Sequence, residues 1–374
     1  MAEFLPLHKS GMPGQKIKGE AFLRVLNRMS LNIAVIGVGR WGRNHVRVLS
    51  SLQGDAVNRL IVVDVDPSRA KEIASLYGAD TYYDNVEDLV SREKDLDAAI
   101  VTVPTVHHYS VVKSLIERCD VFVEKPLAET PEQGYDLLKA ASRSNRILMV
   151  GHIERFNPIV RVAENVVRTG GLRVLSFTSE RLGPGPAGNY TLNLGVGHDL
   201  LVHDVDIANL FFGDLPQRVY AVAFHTQNFP YEVEVQAMFE YPGARTAQLT
   251  ASWRTAPNYK RRSFSLRTES SVITVNYILR RIIIDNGIEG FQLENFKTSL
   301  HKETIGIELS YQQEEPLKLE LLDFLDSVKR RRKPRVSVLE GYIALKCVAK
   351  ALESAKKGSP IEISWEELKD VGMS

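Results

Sequence analysis

Lys125 ends an apolar run, Val121-Phe122-Val123-Glu124, and proline follows it directly. If that run is a strand of an open α/β sheet, the lysine lies at its carboxyl edge, where such sheets bind ligands. A surface lysine there would simply pair with Glu124. One aimed into a cleft is a cation able to stabilise a developing alkoxide. Asp199 and His203 are four apart in a run rich in Leu200, Leu201, Val202, Val205 and Ile207, so on a helix they share one face. The two could satisfy each other in a core. They could equally do acid–base work, since histidine titrates near neutrality and can take a hydroxyl proton. His198, Asp199 and His203 have no companion ligand cluster of suitable spacing, so no metal is expected.

Upstream, Gly37-Val38-Gly39-Arg40-Trp41-Gly42 follows the buried run Ile33-Ala34-Val35-Ile36 and opens a helix. In that setting Gly37 allows a tight turn, Gly39 lets a pyrophosphate approach the backbone, and Gly42 permits close helix–strand packing. The helix N-terminus offers free N–H groups to phosphates. Asp64 ends the next strand, where a carboxylate accepts ribose hydroxyls and repels a 2′-phosphate. The expected cofactor is therefore NAD, with NADP second; Arg40 is the neighbour whose guanidinium could accept a phosphate. A hydride acceptor beside a cation and a histidine describes the oxidation of a secondary alcohol.

These residues need a scaffold. From Leu31 strand and helix signals alternate: strands near 33–36, 60–64, 98–103, 121–123 and 146–150, helices from about 41, from Asp66-Pro67 to Gly78, around 111–118, and from the capping box Thr130-Pro131-Glu132-Gln133. Such alternation predicts a parallel sheet covered on both faces, an N-terminal Rossmann domain over 31–150. Beyond Gly151 come helices from Asn157-Pro158 to Gly170-Gly171 and over 198–212. Strands follow near 217–226, 231–241, 245–254, 262–268 and 271–276, then helices near 316–331 and 337–356. Residues 151–374 are expected to form an α+β domain on a mostly antiparallel open sheet, and residues 1–30 a poorly ordered extension.

Composition narrows the class. The 374 residues are 44% hydrophobic and 25% charged with a net charge of +1, ordinary for a soluble globular chain and no reason to expect nucleic acid or an anionic membrane as partner. No apolar stretch suffices for a membrane span. Cys119 and Cys347 lie in no metal or redox spacing, which suits a reducing, cytoplasmic compartment. Lys329-Arg330-Arg331-Arg332-Lys333 is read as a solvated helix end, and Lys260-Arg261-Arg262 as an edge charge cluster rather than a diphosphate site.

In this order the elements resemble the glucose–fructose oxidoreductase / inositol dehydrogenase / rhizopine catabolism (Gfo/Idh/MocA) family over about residues 31–357. The marks are the glycine loop, Asp64-Val65-Asp66-Pro67, Pro104 with His108, Glu124-Lys125-Pro126, Gly151-His152-Ile153-Glu154-Arg155-Phe156-Asn157-Pro158, and Asp199 with His203-Asp204-Val205-Asp206. The resemblance implies Lys125, Asp199 and His203 as the catalytic set. Gly37, Gly39, Arg40, Trp41, Gly42, Asp64, Pro104, His108, Glu124 and Lys125 would contact the cofactor. It also implies a homodimer or homotetramer built on the second domain's sheet. Within the family, the 151–158 segment and Arg181 look like the branch acting on carbon 3 of UDP-N-acetylglucosamine, which would place His152, Arg155, Asn157, Arg181 and His203 at the substrate. Segment 185–194 is slightly longer than that branch's pattern, and Ser270-Ser271 replaces a usual glycine. A polyol or free-sugar dehydrogenase, an NAD-dependent glycosidase and a non-enzymatic nucleotide-binding regulator are the alternatives.

Overall fold

The computed structural model describes residues 30–185, 194–285, 297–301, 304–308 and 315–371; the expected extension (except residue 30) and most of segment 185–194 lie outside them. Strands β1 (Leu31–Ile36), β2 (Val57–Val63), β3 (Thr81–Tyr83), β4 (Ala98–Val101), β5 (Asp120–Glu124) and β6 (Leu148–Gly151) form a parallel sheet ordered β3-β2-β1-β4-β5-β6. Runs such as Ile33-Ala34-Val35 and Ala98-Ala99-Ile100-Val101 are wholly buried, as strands covered on both faces must be. The covering helices are α1 (Gly42–Ser50), α2 (Pro67–Tyr77), α3 (Val86–Arg92), α4 (His108–Leu115) and α5 (Pro131–Ser144). Helix α2 starts as its sequence predicts: the Asp66 carboxylate accepts from the N–H groups of Ser68 and Arg69, and Gly78 ends it at φ +68°. At α5, Thr130 caps the Gln133 N–H, but the Gln133 side chain accepts from Glu129 N rather than Thr130 N. Strand order reverses between β1 and β4, opening a crevice at their carboxyl ends.

After α6 (Pro158–Thr169) the chain builds a ten-stranded sheet. Its strands are β7 (Val174–Leu182), β8 (Arg218–Thr226), β9 (Phe229–Tyr241), β10 (Arg245–Ser252), β11 (Arg261–Thr268), β12 (Val272–Asn276), β13 (Arg281–Asp285), β14 (Lys297–His301), β15 (Thr304–Glu308) and β16 (Ile361–Glu362), ordered β14-β15-β13-β12-β11-β7-β10-β9-β8-β16. It is mostly antiparallel, as expected; β7 with β10 is a parallel pair. Apolar alternation does not reveal β7, although it lies mid-sheet, because its inward positions include Ser179 and Arg181. Helix α7 (Val202–Phe212) covers the inner face through Val205, Ile207, Ala208 and Phe211.

Packing does not follow the chain division at 150/151. Helix α8 (Pro316–Arg330) puts Leu317, Leu321, Phe324 and Leu325 into the Rossmann core. Helix α9 (Val338–Lys357) gives Tyr342 and Leu345 to that core but Ile343, Ala344, Cys347, Val348 and Ala351 to the other. Consecutive positions on one helix point to different partners, so residues 316–357 stitch the two units together. The basic run at the end of α8 is largely spent in ion pairs: Arg330 with Asp326, Arg331 with Asp120, Arg332 with Asp323 and Asp326, and Lys333 with Glu340. No helix among the described residues is long and apolar enough to cross a membrane.

Candidate active site

The glycine loop occupies the β1/β4 crevice. Gly37 is left-handed at φ +87° and a Cβ there would press on the Val103 backbone at 2.8 Å, so only glycine fits. A Cβ on Gly42 would collide with the Gly37 carbonyl, which also accepts from Thr102 Oγ1 at 2.6 Å. Gly39 differs: a Cβ there would meet nothing within 4 Å, so the space beside it is open to a ligand. Asp64 is 5% exposed; its Oδ2 accepts from Val38 N at 2.8 Å, and its Oδ1 from Asp66 N at 3.0 Å and Arg69 Nη2 at 2.8 Å. A carboxylate offers about four acceptor positions, which leaves room for a ribose hydroxyl. Arg40 and Trp41 stand exposed at the loop's outer end. Open space over Gly39, a helix N-terminus and a carboxylate with spare capacity together fit a dinucleotide.

Across the crevice, β5 delivers Glu124 and Lys125, and the Lys125–Pro126 bond is cis. Glu124, expected to touch the cofactor, is buried and turned toward α1: Oε1 accepts from Trp41 Nε1 at 2.6 Å and meets His45 Nε2 at 2.8 Å. It joins the glycine-loop helix to the strand that bears the lysine. Burial raises its pKa, but His45, Trp41 and Lys125 outweigh burial and hold the carboxyl below its ordinary range. His108 is likewise buried rather than facing the crevice. Its Nδ1 lies 2.8 Å from Pro126 O and its Nε2 3.0 Å from Val103 O, tying the turn after Lys125 to the end of β4. Pro104 starts the short 3-10 turn Thr105–His107 just before it.

Lys125 Nζ reaches the other unit, donating to Asp199 Oδ1 and to the Asp199 carbonyl, each at 2.8 Å. Asp199 was expected to orient His203 from the preceding helical turn. Instead Gly197–Leu201 is a π turn, whose wider winding breaks the regular i, i+4 alignment, and the carboxylate engages Lys125. Burial pushes Asp199 up, yet the charge and hydrogen bond of Lys125 prevail and hold it below the usual carboxylate range. His203 has its Nδ1 buried without a hydrogen-bond partner. Burial, and then the Lys125 charge, keep its pKa well below the ordinary histidine value, so the ring is neutral at pH 7. His198 is pushed down to about 4 by the same two causes.

Of the residues expected at the substrate, three have internal partners instead and a fourth, His152, is buried without one. Arg155 makes a two-pronged bond to Asp206, Nε to Oδ2 and Nη2 to Oδ1, both 2.7 Å. Arg181 is 1% exposed and divides its fork between Glu154 (2.8 Å) and Asp204 (3.1 and 2.9 Å). Asn157 caps α6, accepting from Ile159 N at 3.3 Å, and donates to Glu154 at 3.0 Å. His152 is buried, with neither ring nitrogen hydrogen-bonded and Nδ1 3.9 Å from Asp206. These side chains form a buried charged frame behind Lys125, Asp199 and His203. A guanidinium that already serves two carboxylates has no fork left for a phosphate.

Other residues of the site carried no sequence signal. Thr102 and His45 brace the loop and Glu124. Glu232 of β9 accepts from Gly197 N at 2.9 Å, holding the start of the π turn, and a Cβ on Gly195 would collide with it. Glu320 of α8 is fully buried with both oxygens unpartnered, and burial, then the nearby Glu124 charge, push its pKa well up. None of these contacts follows from spacing, because each partner arrives from a distant element.

Comparisons with known proteins bear on the family and the fold. The model of an oxidoreductase family with an NAD-binding Rossmann fold matches residues 31–152, and that of the GFO/IDH/MocA C-terminal domain matches 163–273. An inositol 2-dehydrogenase of Rhizobium meliloti is 30% identical over 52% of this chain and 59% of its own length. The chain thus spans rather more than half of that relative. A scyllo-inositol 2-dehydrogenase (NAD(+)) of Bacillus subtilis is 25% identical over 88% of this chain and 95% of its own. In fold, the chain is similar to the UDP-N-acetylglucosamine 3-dehydrogenase of Acidithiobacillus ferrooxidans (TM-score 0.74, 20% identity, 88% of this chain and 98% of that one). It is also similar to levoglucosan dehydrogenase solved with NADH and levoglucosan (TM-score 0.79, 18% identity, 90% and 100%).

Proposed function

Because the chain belongs to the Gfo/Idh/MocA family of oxidoreductases with an NAD-binding Rossmann domain, we propose that it oxidises a secondary ring hydroxyl of a cyclic polyol or sugar. The observation that carries this reading is the meeting of Lys125 Nζ with Asp199 at 2.8 Å, beside a neutral His203 at the crevice edge. Bound NAD would supply the hydride acceptor. Lys125 holds the substrate oxygen and stabilises the negative charge that grows on it, and Asp199 keeps the ammonium in place. His203, uncharged at neutral pH, receives the hydroxyl proton.

Relatives named as inositol dehydrogenases favour the polyol or free-sugar reading over carbon 3 of UDP-N-acetylglucosamine. The narrower reading also leaned on Arg155, Asn157 and Arg181, which are spent internally. The proposal includes a second copy of the chain docked on the outer face of the ten-stranded sheet. There Tyr220, Val222 and Phe224 of β8 and Met238 of β9 are exposed, and Tyr220 stands opposite Met238. The test of function is NADH formation with myo-inositol, scyllo-inositol, glucose and UDP-N-acetylglucosamine. Reduction of NAD by none of these or related ring alcohols would sink it.

A further inference from the structure

Strand β11 carries the run Lys260-Arg261-Arg262, which looks uniform in sequence but is divided by the pleat. Arg261 points outward and pairs with Glu180 at 2.8 Å. Arg262 shares the inward face with Phe264 and Leu266, and lies directly opposite Arg181 on β7. Two guanidinium groups facing each other across an antiparallel pair repel, so the arrangement needs acceptors for both. Arg181 has them in Glu154 and Asp204. Arg262 has none: among the described residues its side chain makes no hydrogen bond and no ion pair. It is only partly buried. Its opposite number Arg181 is bonded to Asp204, the residue next to His203, which sets this face of the sheet beside the candidate site.

We propose that Arg262 is the specificity residue of this site, binding an anionic group, carboxylate or phosphate, carried by the ring whose hydroxyl is oxidised. The inference rests on the dehydrogenase reading above and sharpens its substrate class. Electrostatics alone do not demand it, since the Arg262 charge already offsets the surplus carboxylate of the Arg181 cluster. The unspent fork is what points to it: five N–H donors without a protein acceptor take theirs from water or a ligand, and a carboxylate or phosphate matches their geometry. Tyr277, whose ring lies 5.2 Å from the Arg181 guanidinium, has its hydroxyl buried and also without a partner.

The test compares neutral and anionic members of one series: glucose, glucuronate, glucose 6-phosphate and UDP-glucose. Wild type should turn over at least one anionic member with a kcat/KM about 10-fold or more above glucose. Arg262→Met should lower that value by about 10- to 100-fold, mostly through KM, and collapse the preference over glucose. Arg262→Lys, keeping charge but losing the fork, should fall between. Glucuronate against the two phosphate compounds tells which anion is read. Equal loss on neutral and anionic members, or a wild-type preference for glucose, overturns the proposal. If no member is oxidised, inositol turnover decides the dehydrogenase reading separately, and binding still decides this one: glucuronate and UDP-glucose should perturb the fluorescence of NADH bound to wild type more than to Arg262→Met. Equal perturbation of both proteins overturns the proposal.

Discussion

At the scale of single residues, the site separates side chains that act from side chains that hold. Lys125→Ala should lower kcat by about 10²-fold or more while NAD affinity changes little, because the ammonium works on charge that appears only in the transition state. Steady-state rates and NADH titration measure the two effects, and near-normal turnover would remove the lysine from the mechanism. Arg181→Ala should act differently. It strands the buried carboxylates of Glu154 and Asp204, so its effect is on folding, about 3–5 kcal/mol in urea denaturation. A well-folded Arg181→Ala protein defective only in KM would restore Arg181 as a substrate ligand. Lys125, Asp199 and His203 could be picked out in the sequence because their types and places name a chemistry, although Asp199 was read with His203 and meets Lys125 instead. Which arginine is spent could not. That depends on strand register bringing Arg262 opposite Arg181, and on carboxylates at 154 and 204 arriving from other elements.

The element scale gives a sharper contrast inside the glycine loop. Gly42→Ala should destabilise the protein with or without cofactor, since its methyl would strike the Gly37 carbonyl within the fold. Gly39→Ala should leave the melting temperature of the cofactor-free protein nearly unchanged and weaken NAD binding severely, because its methyl would enter space that is open in the protein and that a bound pyrophosphate would need. Thermal melts with and without NAD distinguish them; equal destabilisation of the free proteins would contradict the separate roles. The α/β half of the fold could be read from its buried runs and its Asp66 and Thr130 caps. The second half hid its middle strand, because β7 turns an arginine and a serine inward where alternation demands apolar residues. The π turn was also invisible: nothing in the spacing of 197–201 marks a wider winding, and Glu232, which accepts the Gly197 N–H, arrives from the distant strand β9.

At the scale of the whole molecule, buried titratable groups set the response to acid. Burial is the leading cause that holds His108, His152, His198 and His203 below the ordinary histidine range. The unfolded chain takes up these protons near pH 6.5 and the folded chain only lower, about 4 for His198. Stability is therefore complete above about pH 6.5 and declines as pH falls toward the folded-state values. Glu320 and Asp204, raised by burial, oppose the trend, but they are two groups against four. Urea midpoints between pH 7.5 and 5 should fall, and His198→Gln should flatten the slope; a pH-independent midpoint would contradict the assignment. Assembly is tested at the same scale. Met238→Lys places a charge in the exposed apolar stripe of β8 and β9, and sedimentation should show the oligomer reduced to single chains. A wild type that sediments as one chain would remove the interface.

Helix α9 has a bearing on how the protein is made. It supplies Tyr342 and Leu345 to one core and Ile343, Ala344 and Val348 to the other, and α8 just before it fills the Rossmann core with Leu321 and Phe324. The Rossmann sheet leaves the ribosome before the helices that seal it, because strands β7 to β15 are translated in between. Early folding of the N-terminal part, the usual course in a chain of several domains, therefore stops at an open apolar surface on the nascent chain. A ribosome stalled before residue 316 should present that surface to holdase chaperones, and release of helices α8 and α9 should close both cores in one step.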